Sequence, residues 1–380
     1  MSDLIRQELA TAGTIVVKVG TRVLTQSDGR LDLSQMERLA GQLLAWRRAG
    51  RQVVLVSSGA VGAGMDTLGL RERPRDLAKL QAVAAVGQAK LMETYDRILQ
   101  QHQWPVAQVL LTADDLDHRA RYLNVRNTLL HLLELGVLPI INENDTVSVD
   151  ELMTTFGDND RLAALVTSLL RAPLLVILSD IEGLYNGPPD EPGSQLVSVV
   201  PQIDDKIWGY VRDRKTGWSK GGMAGKLRAA QIAVAAGENV ILASGRRPGV
   251  LEEILAGLPI GTAFLAQGKS ISPWKRWIGF SARSQGKLYV DSGAQRAIVQ
   301  QGKSLLAVGM ARVEGEFEKG DVVVLCAADG QELARGLTNY SSQQAAQICG
   351  RRSAEIASIL GDGLYEEVVH RDNLVVTSGA

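Results

Sequence analysis

A cluster of polar residues follows an apolar run in the middle of the chain, and its residue types suit the binding of charged groups. The run 137–141 leads into Asn142, Glu143, Asn144 and Asp145, and after a short loop come Asp158, Asn159 and Asp160. Ligands of open parallel sheets lie beyond the carboxyl ends of the strands, so this placement is typical of a binding site. Its oxygens suit an ammonium group or a cation. The alternative is an acidic loop whose Asn and Asp residues serve only turns and helix capping.

Two lysines occur where a phosphate group can be bound. Lys18 is near the end of an apolar, β-branched run at residues 14–19, where a buried ammonium group needs a partner. Residues 217–226 combine glycines with Lys220 and Lys226 at the start of an apolar helix. Amides and the helix dipole at such a start both favour an anion. The spacing is not that of a Walker A loop, and a flexible loop with solvated lysines is the alternative.

Two further strands are predicted to end in polar or small residues. The strand at residues 52–56 leads into the glycine-rich loop 57–64, and the strand at 174–178 ends in Ser179 and Asp180. The loop spacing G-x-x-G-x-G differs from the dinucleotide fingerprint G-x-G-x-x-G, but its amides are suited to an anion. Close packing of a strand against a helix is the alternative.

The order of the predicted elements indicates the α/β class. Strands alternate with amphipathic helices through residue 243, which predicts a mostly parallel sheet with helices on both faces. Ser34 with Glu37 predicts a capping box at the start of the first long helix. Short strands after residue 284 predict a small mixed-β domain. We therefore expect a catalytic domain at 1–268, a linker at 269–284 and a second domain with a C-terminal tail at 285–380.

Composition excludes several classes of protein. The 380 residues include 41 Lys plus Arg against 42 Asp plus Glu, a net charge of −1, which does not favour a nucleic acid or membrane partner. Residues 284–380 carry nine basic and twelve acidic residues, a net charge of −3. Two cysteines are too few for a disulfide scaffold. Neither they nor the four histidines show the spacing of zinc ligands. Without a long apolar segment, a cytoplasmic protein is expected.

These residues favour phosphoryl transfer. The chemistry requires mostly positioning and charge neutralisation, which lysines and backbone amides provide. A carboxylate acceptor with an ordinary pKa of about 4.3 is ionised at neutral pH, so no general base is needed. The scarcity of histidine is consistent with that reaction.

Several motifs together resemble the glutamate 5-kinases of proline biosynthesis, which combine an amino-acid kinase fold with a C-terminal PUA domain. The resemblance rests on VVKVGT around Lys18, VSSGAVGAG around Ser58, INENDTVS, GDND, SDIEGLY, GGMAGK and the final domain, and it spans nearly the whole chain. It implies ATP-dependent phosphorylation of the γ-carboxylate of L-glutamate to L-glutamyl 5-phosphate, with Mg²⁺ bridging the phosphates and no residue assigned as a metal ligand. It also implies feedback inhibition by proline and a homo-oligomer, a dimer or a tetramer.

The resemblance further implies roles for individual residues. Ser58, Asp145 and Asn159 would hold glutamate, with Asn142 and Asp158 nearby, and the Asp145 carboxylate suits the α-ammonium group. Lys18 and Lys226 would flank the transferred phosphoryl group, and Asp160 would orient both lysines through ion pairs. The ATP site would be lined by Lys18, Ser179, Asp180, Lys220, Gly221, Gly222, Met223, Ala224, Gly225 and Lys226.

The chain departs from the family pattern at two positions. Lys220 stands where the family usually has Thr, and Gly225 where it has Ser or Thr, so the chain lacks two hydroxyl groups in the predicted nucleotide loop, and Lys220 places a positive charge there instead. A sister kinase acting on aspartate, acetylglutamate or a nucleotide is an alternative. An RNA-binding protein with a degenerate kinase-like part is another, and the negative charge of its last domain opposes that reading.

Overall fold

The computed structural model describes residues 2–26, 28–147, 158–189, 191–211, 222–267, 273–361 and 365–377, without the side chains of residues 2–4, 158, 273 and 354. Two compact units are present: residues 1–116 with 120–269, and residues 117–119 with 270–380. The predicted ATP-site residues Lys220 and Gly221 lie outside the described residues, as does the side chain of Asp158.

The first unit contains an eight-stranded sheet in the order β3-β4-β2-β1-β5-β7-β8-β6. Its pairs are parallel except for β7 with β8, which confirms a mostly parallel sheet. The strands are β1 (Thr14–Val19), β2 (Gln52–Ser57), β3 (Val106–Leu111), β4 (Leu138–Glu143), β5 (Leu174–Ser179), β6 (Val199–Val200), β7 (Asn239–Ser244) and β8 (Thr262–Phe264). The two shortest strands, β6 and β8, were not predicted from the sequence.

Strand β1 is central, and this position determines the environment of Lys18. It pairs with β2 on one side and β5 on the other, so that Lys18 stands opposite Val56 and Ile177. Because side chains alternate between the faces of a strand, Val17 and Val19 point into one apolar core while Lys18 points to the opposite face. Helices Asp158–Leu170 and Met223–Ala236 pack together beside this sheet.

The helices of the first unit surround the sheet. They are α1 (Ser2–Leu9), α2 (Thr21–Leu24), α3 (Leu33–Arg48), α4 (Ala60–Thr67), α5 (Leu77–Gln100), α6 (Ala113–Asp117), α7 (Arg119–Glu134), α8 (Asp158–Leu170), α9 (Asp205–Gly209), α10 (Met223–Ala236) and α11 (Val250–Leu255), of which α6 and α7 begin or end in residues of the second unit. No helix in the described parts of the chain is long and apolar enough to cross a membrane.

The predicted capping box at Ser34 and Glu37 is wrong. The N-cap of α3 is Asp32, whose side chain accepts a hydrogen bond from the Gln35 backbone N–H. The Ser34 hydroxyl donates to the same carboxylate at 2.8 Å. Leu31, the residue before Asp32, forms an isolated β-bridge with Thr25. The helix begins directly after this bridge, so Asp32 takes the N-cap position.

The second unit contains a six-stranded sheet in the order β10-β14-β13-β12-β9-β11. Its strands are β9 (Gly286–Val290), β10 (Leu305–Leu306), β11 (Met310–Gly315), β12 (Val322–Cys326), β13 (Glu332–Thr338) and β14 (Glu367–Val376), and its helices are α12 (Pro273–Arg276), α13 (Ser292–Val299), α14 (Ser342–Ile348) and α15 (Ser353–Leu360), with a π-helical turn at Trp277–Ser281 and a 3₁₀ turn at Ala307–Gly309. The sequence pattern of residues 342–359 predicts a single helical segment, but the structure has two helices there, interrupted near Gly350, whose φ of +74° does not continue a helix.

Candidate active site

Two lysines from different elements share one buried carboxylate. Lys18 on β1 and Lys226 in the first turns of α10 reach Asp160 at the start of α8. Lys18 Nζ lies 2.6 Å from Asp160 Oδ1, and Lys226 Nζ lies 3.4 Å from Asp160 Oδ2. Asp160 is 1% exposed, Lys18 5% and Lys226 7%. The group of three has one positive charge in excess.

The charge state of Asp160 follows from these contacts. Burial by itself raises the pKa of the carboxyl, but the two lysines outweigh burial, and the pKa lies below its ordinary value. Asp160 is therefore ionised at neutral pH and holds both ammonium groups at one place. Two ammonium groups held together in this way can both donate charge-assisted hydrogen bonds to an anion such as phosphate.

A second group of polar side chains lies next to the first, because its member Asn159 directly precedes Asp160 in the chain. Asn159 Nδ2 donates to Ser58 Oγ at 3.1 Å and to Asn142 Oδ1 at 2.9 Å. All three residues are buried, and they come from α8, the loop after β2 and the end of β4. The structure thus brings together Ser58, Asn142 and Asn159, which were predicted as substrate-binding residues.

The hydrogen-bonded group extends to Gln88, which was not predicted from the sequence. Asn142 Nδ2 donates to Gln88 Oε1 at 2.9 Å. Gln88 lies on α5, and this helix approaches α4 so closely that a Cβ on Gly87 would stand 1.7 Å from the Ala60 carbonyl oxygen. The glycine is needed for this approach, which brings Gln88 to the beginning of α4. A polar residue within an otherwise apolar helix face was the available signal.

Two buried hydrogen bonds of Ser57 hold the loop that carries Ser58. The Ser57 hydroxyl donates to the Ser58 carbonyl oxygen at 3.1 Å and lies 2.9 Å from the Tyr95 hydroxyl. Since Ser57 has one proton to donate, Tyr95 is the donor of the second bond. Gly59 follows with a φ of +114°, a left-handed conformation that glycine adopts without strain.

Ser179 and Asp180 lie at the end of β5, next to the end of β1. The Ser179 hydroxyl donates to Asp180 Oδ1 at 3.0 Å, and Arg22 Nη1 lies 2.8 Å from Asp180 Oδ2. Burial raises the pKa of the Asp180 carboxyl, but hydrogen bonds from Arg22 and Ser179 lower it below its ordinary value. Arg22 and Asp180 line a cavity of about 660 Å³. Arg22 is a second residue that was not predicted.

The remaining predicted residues are placed as follows. Gly222 is the N-cap of α10, and Met223, Ala224, Gly225 and Lys226 form its first turn. Asp145 is half-buried in the turn after β4, three residues beyond Asn142. Asp158 is the first residue of α8. Among the side chains that the structure describes, no group of three or more His, Cys, Asp or Glu residues is placed to hold a metal ion.

Comparison with known proteins shows the family of the chain. The model of the amino acid kinase family matches residues 13–244, and that of the PUA domain matches residues 286–360. A glutamate 5-kinase from Rhodopirellula baltica is 50% identical over 98% of this chain and 95% of its own length. A glutamate 5-kinase from Cyanothece sp. is 52% identical over 96% of this chain and 99% of its own length. The resemblance found in the sequence is confirmed, and the chain belongs to the amino acid kinase family, within it to the glutamate 5-kinases.

Proposed function

We propose that the chain transfers the γ-phosphoryl group of ATP to the γ-carboxylate of L-glutamate, forming L-glutamyl 5-phosphate for proline biosynthesis. The observation that carries this proposal is the buried Lys18–Asp160–Lys226 group, which adjoins the Ser58–Asn159–Asn142 group through consecutive residues of α8. One group suits a phosphoryl anion, and the other suits the polar end groups of an amino acid.

In this proposal the two lysines neutralise the charge that is spread over the transferred group. Lys18 and Lys226 contact its oxygens from two sides, and Asp160 holds the two ammonium groups in place without contacting the substrate itself. Such preorganised charge is the main source of catalysis in phosphoryl transfer. The attacking carboxylate is already ionised, so no residue has to remove a proton.

The amino acid is held by Ser58, Asn159 and Asn142, with Asp145 pairing with its α-ammonium group and Asp158 nearby. ATP is held by Ser179, Asp180 and residues 220–226. Mg²⁺, when bound, supplies charge neutralisation on the phosphates of ATP. Two buried ammonium groups held beside each other fit a polyphosphate, and this is the feature of the described residues that supports the assignment.

The proposal includes the organisation of the whole protein. Residues 1–268 form the catalytic domain, residues 269–284 a linker, and residues 285–380 the PUA domain with its tail. The enzyme works in the cytoplasm as a homo-oligomer, a dimer or a tetramer, and proline inhibits it.

A trapping assay tests the reaction. The full-length protein is incubated with ATP, Mg²⁺, hydroxylamine and one of L-glutamate, L-aspartate or N-acetyl-L-glutamate. We expect hydroxamate with L-glutamate, at least tenfold faster than with the other two. No hydroxamate with any acceptor would contradict the kinase proposal, whereas preference for the acetylated acceptor, which lacks the ammonium group, would contradict the role given to Asp145.

A further inference from the structure

Gln88 is the last residue of a hydrogen-bond chain that begins at Ser58. The chain runs from Ser58 through Asn159 and Asn142 to Gln88, over distances of 3.1, 2.9 and 2.9 Å between consecutive polar atoms. All four side chains are at least nine-tenths buried. Such a chain polarises along its length and is worth more than its isolated bonds.

A backbone group sets the direction of every bond in this chain. The Glu143 N–H donates to Asn142 Oδ1 at 2.9 Å, and a backbone amide can only donate. The oxygen of Asn142 therefore faces Glu143 and Asn159, and its nitrogen faces Gln88. It follows that Asn159 presents its nitrogen to Asn142 and Ser58, and that Gln88 presents its oxygen to Asn142.

This direction determines what the Ser58 end of the chain offers to a ligand. Ser58 Oγ accepts from Asn159, so its own proton is directed to a different acceptor. Under the proposed function that acceptor is a carboxylate oxygen of the amino acid. A hydroxyl whose oxygen already accepts a bond is also a better donor.

At the other end, Gln88 Nε2 is buried and has no hydrogen-bond partner among the described residues. An unpaired buried N–H costs free energy, and an apolar residue of the same length would avoid this cost. Packing alone therefore does not explain a glutamine at this position. The group that does is its Oε1, which accepts the hydrogen bond from Asn142.

We propose that Gln88 is a positioning residue of the amino-acid pocket, acting through Asn142 and Asn159 to hold Ser58 as a hydrogen-bond donor to the substrate carboxylate. This inference rests on the proposed function. It adds a residue of helix α5, 30 positions from Ser58 in sequence, to the determinants of amino-acid affinity.

The test compares Gln88→Met with Gln42→Met in the full-length protein. Gln42 is a matched control because it is also a buried glutamine on a long helix, and its Oε1 accepts one buried bond, from the Leu251 N–H at 2.9 Å. Loss of one neutral hydrogen bond corresponds to a change of about 3- to 10-fold. We expect Gln88→Met to raise the KM for glutamate by about that factor and to leave kcat and the KM for ATP within about twofold. Gln42→Met should leave both KM values unchanged.

A double-mutant cycle with Ser58→Ala shows whether Gln88 acts through the chain. If it does, the effects of Gln88→Met and Ser58→Ala on the KM for glutamate are not multiplicative, because Ser58→Ala already removes the group that the chain positions. Multiplicative effects, or a Gln88→Met variant with unchanged KM, would overturn the inference. A wild-type protein that does not turn over glutamate would instead contradict the proposed function.

Discussion

Lys18 and Lys226 contact the two different oxygens of one carboxylate, that of Asp160. The distances from their Nζ atoms are 2.6 and 3.4 Å, and the three side chains are buried together at the end of the central strand. Lysines from β1 and α10, more than 200 residues apart in the chain, are thereby held beside each other despite their like charge. We therefore expect Asp160 to contribute both to the stability of this region and to the proposed chemistry.

Replacing Asp160 with Asn tests that double requirement. The variant keeps the shape of the side chain but removes the negative charge that both buried ammonium groups contact, which costs about 3–5 kcal/mol. We expect a free energy of unfolding lower by about that amount and turnover reduced at least 100-fold, measured by urea denaturation and ADP release. The control Glu93→Gln breaks the exposed pair with Lys90 at 2.9 Å, and it should change the free energy of unfolding by less than about 1 kcal/mol. Equal effects of both variants would contradict the role of Asp160.

The lowered pKa of Asp160 predicts how stability depends on pH. A carboxyl whose pKa is lower in the folded state than in the unfolded chain stabilises the fold above the unfolded value, about 3.9. That contribution is lost as the pH falls from about 3.9 through the lower folded pKa. We expect the difference in free energy of unfolding between wild type and Asp160→Asn to be constant from pH 5 to 7 and to shrink below about pH 4. A difference that grows on acidification would have the wrong sign.

Lys226→Ala tests the proposed contact with the transferred group. Removing one preorganised charge contact of this kind lowers turnover by about 100- to 1000-fold. One ammonium group, that of Lys18, remains paired with Asp160, so the protein should stay folded, as measured by circular dichroism and thermal unfolding. Lys206→Ala, at an exposed position of the same unit, should retain wild-type turnover. Near-normal ADP release by Lys226→Ala would remove this lysine from the proposed mechanism.

Much of the central sheet was predictable from local sequence, as were Lys18 and Lys226 as candidate phosphate ligands. Strands β1, β2 and β5 are short, buried, mostly apolar runs, and each has residues of the site at its carboxyl end or directly after it. Parallel strands place these ends at one edge. Local sequence placed Asn159 and Asp160 in a polar cluster after β4, and their roles were expected from the resemblance to the glutamate 5-kinases.

Other parts of the site depend on packing between distant segments, which local patterns do not contain. Gln88 is 54 residues from Asn142, and its position depends on the approach of α5 to α4 at Gly87. Arg22 meets Asp180 across 158 residues. Strands β6 and β8 have two and three residues, too few for any periodicity to appear. Asp32 and Ser34 are both good capping residues, and only the path of the preceding chain decides between them.

Tyr95→Phe tests the support beneath the Ser58 loop. The change removes the hydroxyl that donates to Ser57 and lowers the free energy of unfolding by about 1 kcal/mol. It also loosens the Ser58 loop, because Ser57 holds that loop through its hydrogen bond to the Ser58 carbonyl oxygen. We expect a higher KM for glutamate with little change in the KM for ATP. Tyr340→Phe is the matched control, since the Tyr340 hydroxyl donates to the Tyr365 carbonyl oxygen within the second unit. It should lower stability similarly without affecting the KM for glutamate, and a parallel rise in KM in both variants would contradict a local effect.

Gly87→Ala tests the close contact between α4 and α5 that brings Gln88 to the site. A Cβ at this position would lie 1.7 Å from the Ala60 carbonyl oxygen and 2.3 Å from the Gly64 nitrogen, so the two helices have to move apart. Overpacking of this kind costs about 1–3 kcal/mol or more, and displacement of α5 also weakens the hydrogen bond between Gln88 and Asn142. We therefore expect a lower melting temperature together with a higher KM for glutamate.

Gly41→Ala in α3 is the control, and it should raise stability instead of lowering it. Apart from the backbone of its own helix, no described atom lies within 4 Å of the added Cβ, and the higher helix propensity of alanine should stabilise the protein by about 1 kcal/mol. If Gly87→Ala were as stable as Gly41→Ala, the helices would not be in the contact that positions Gln88.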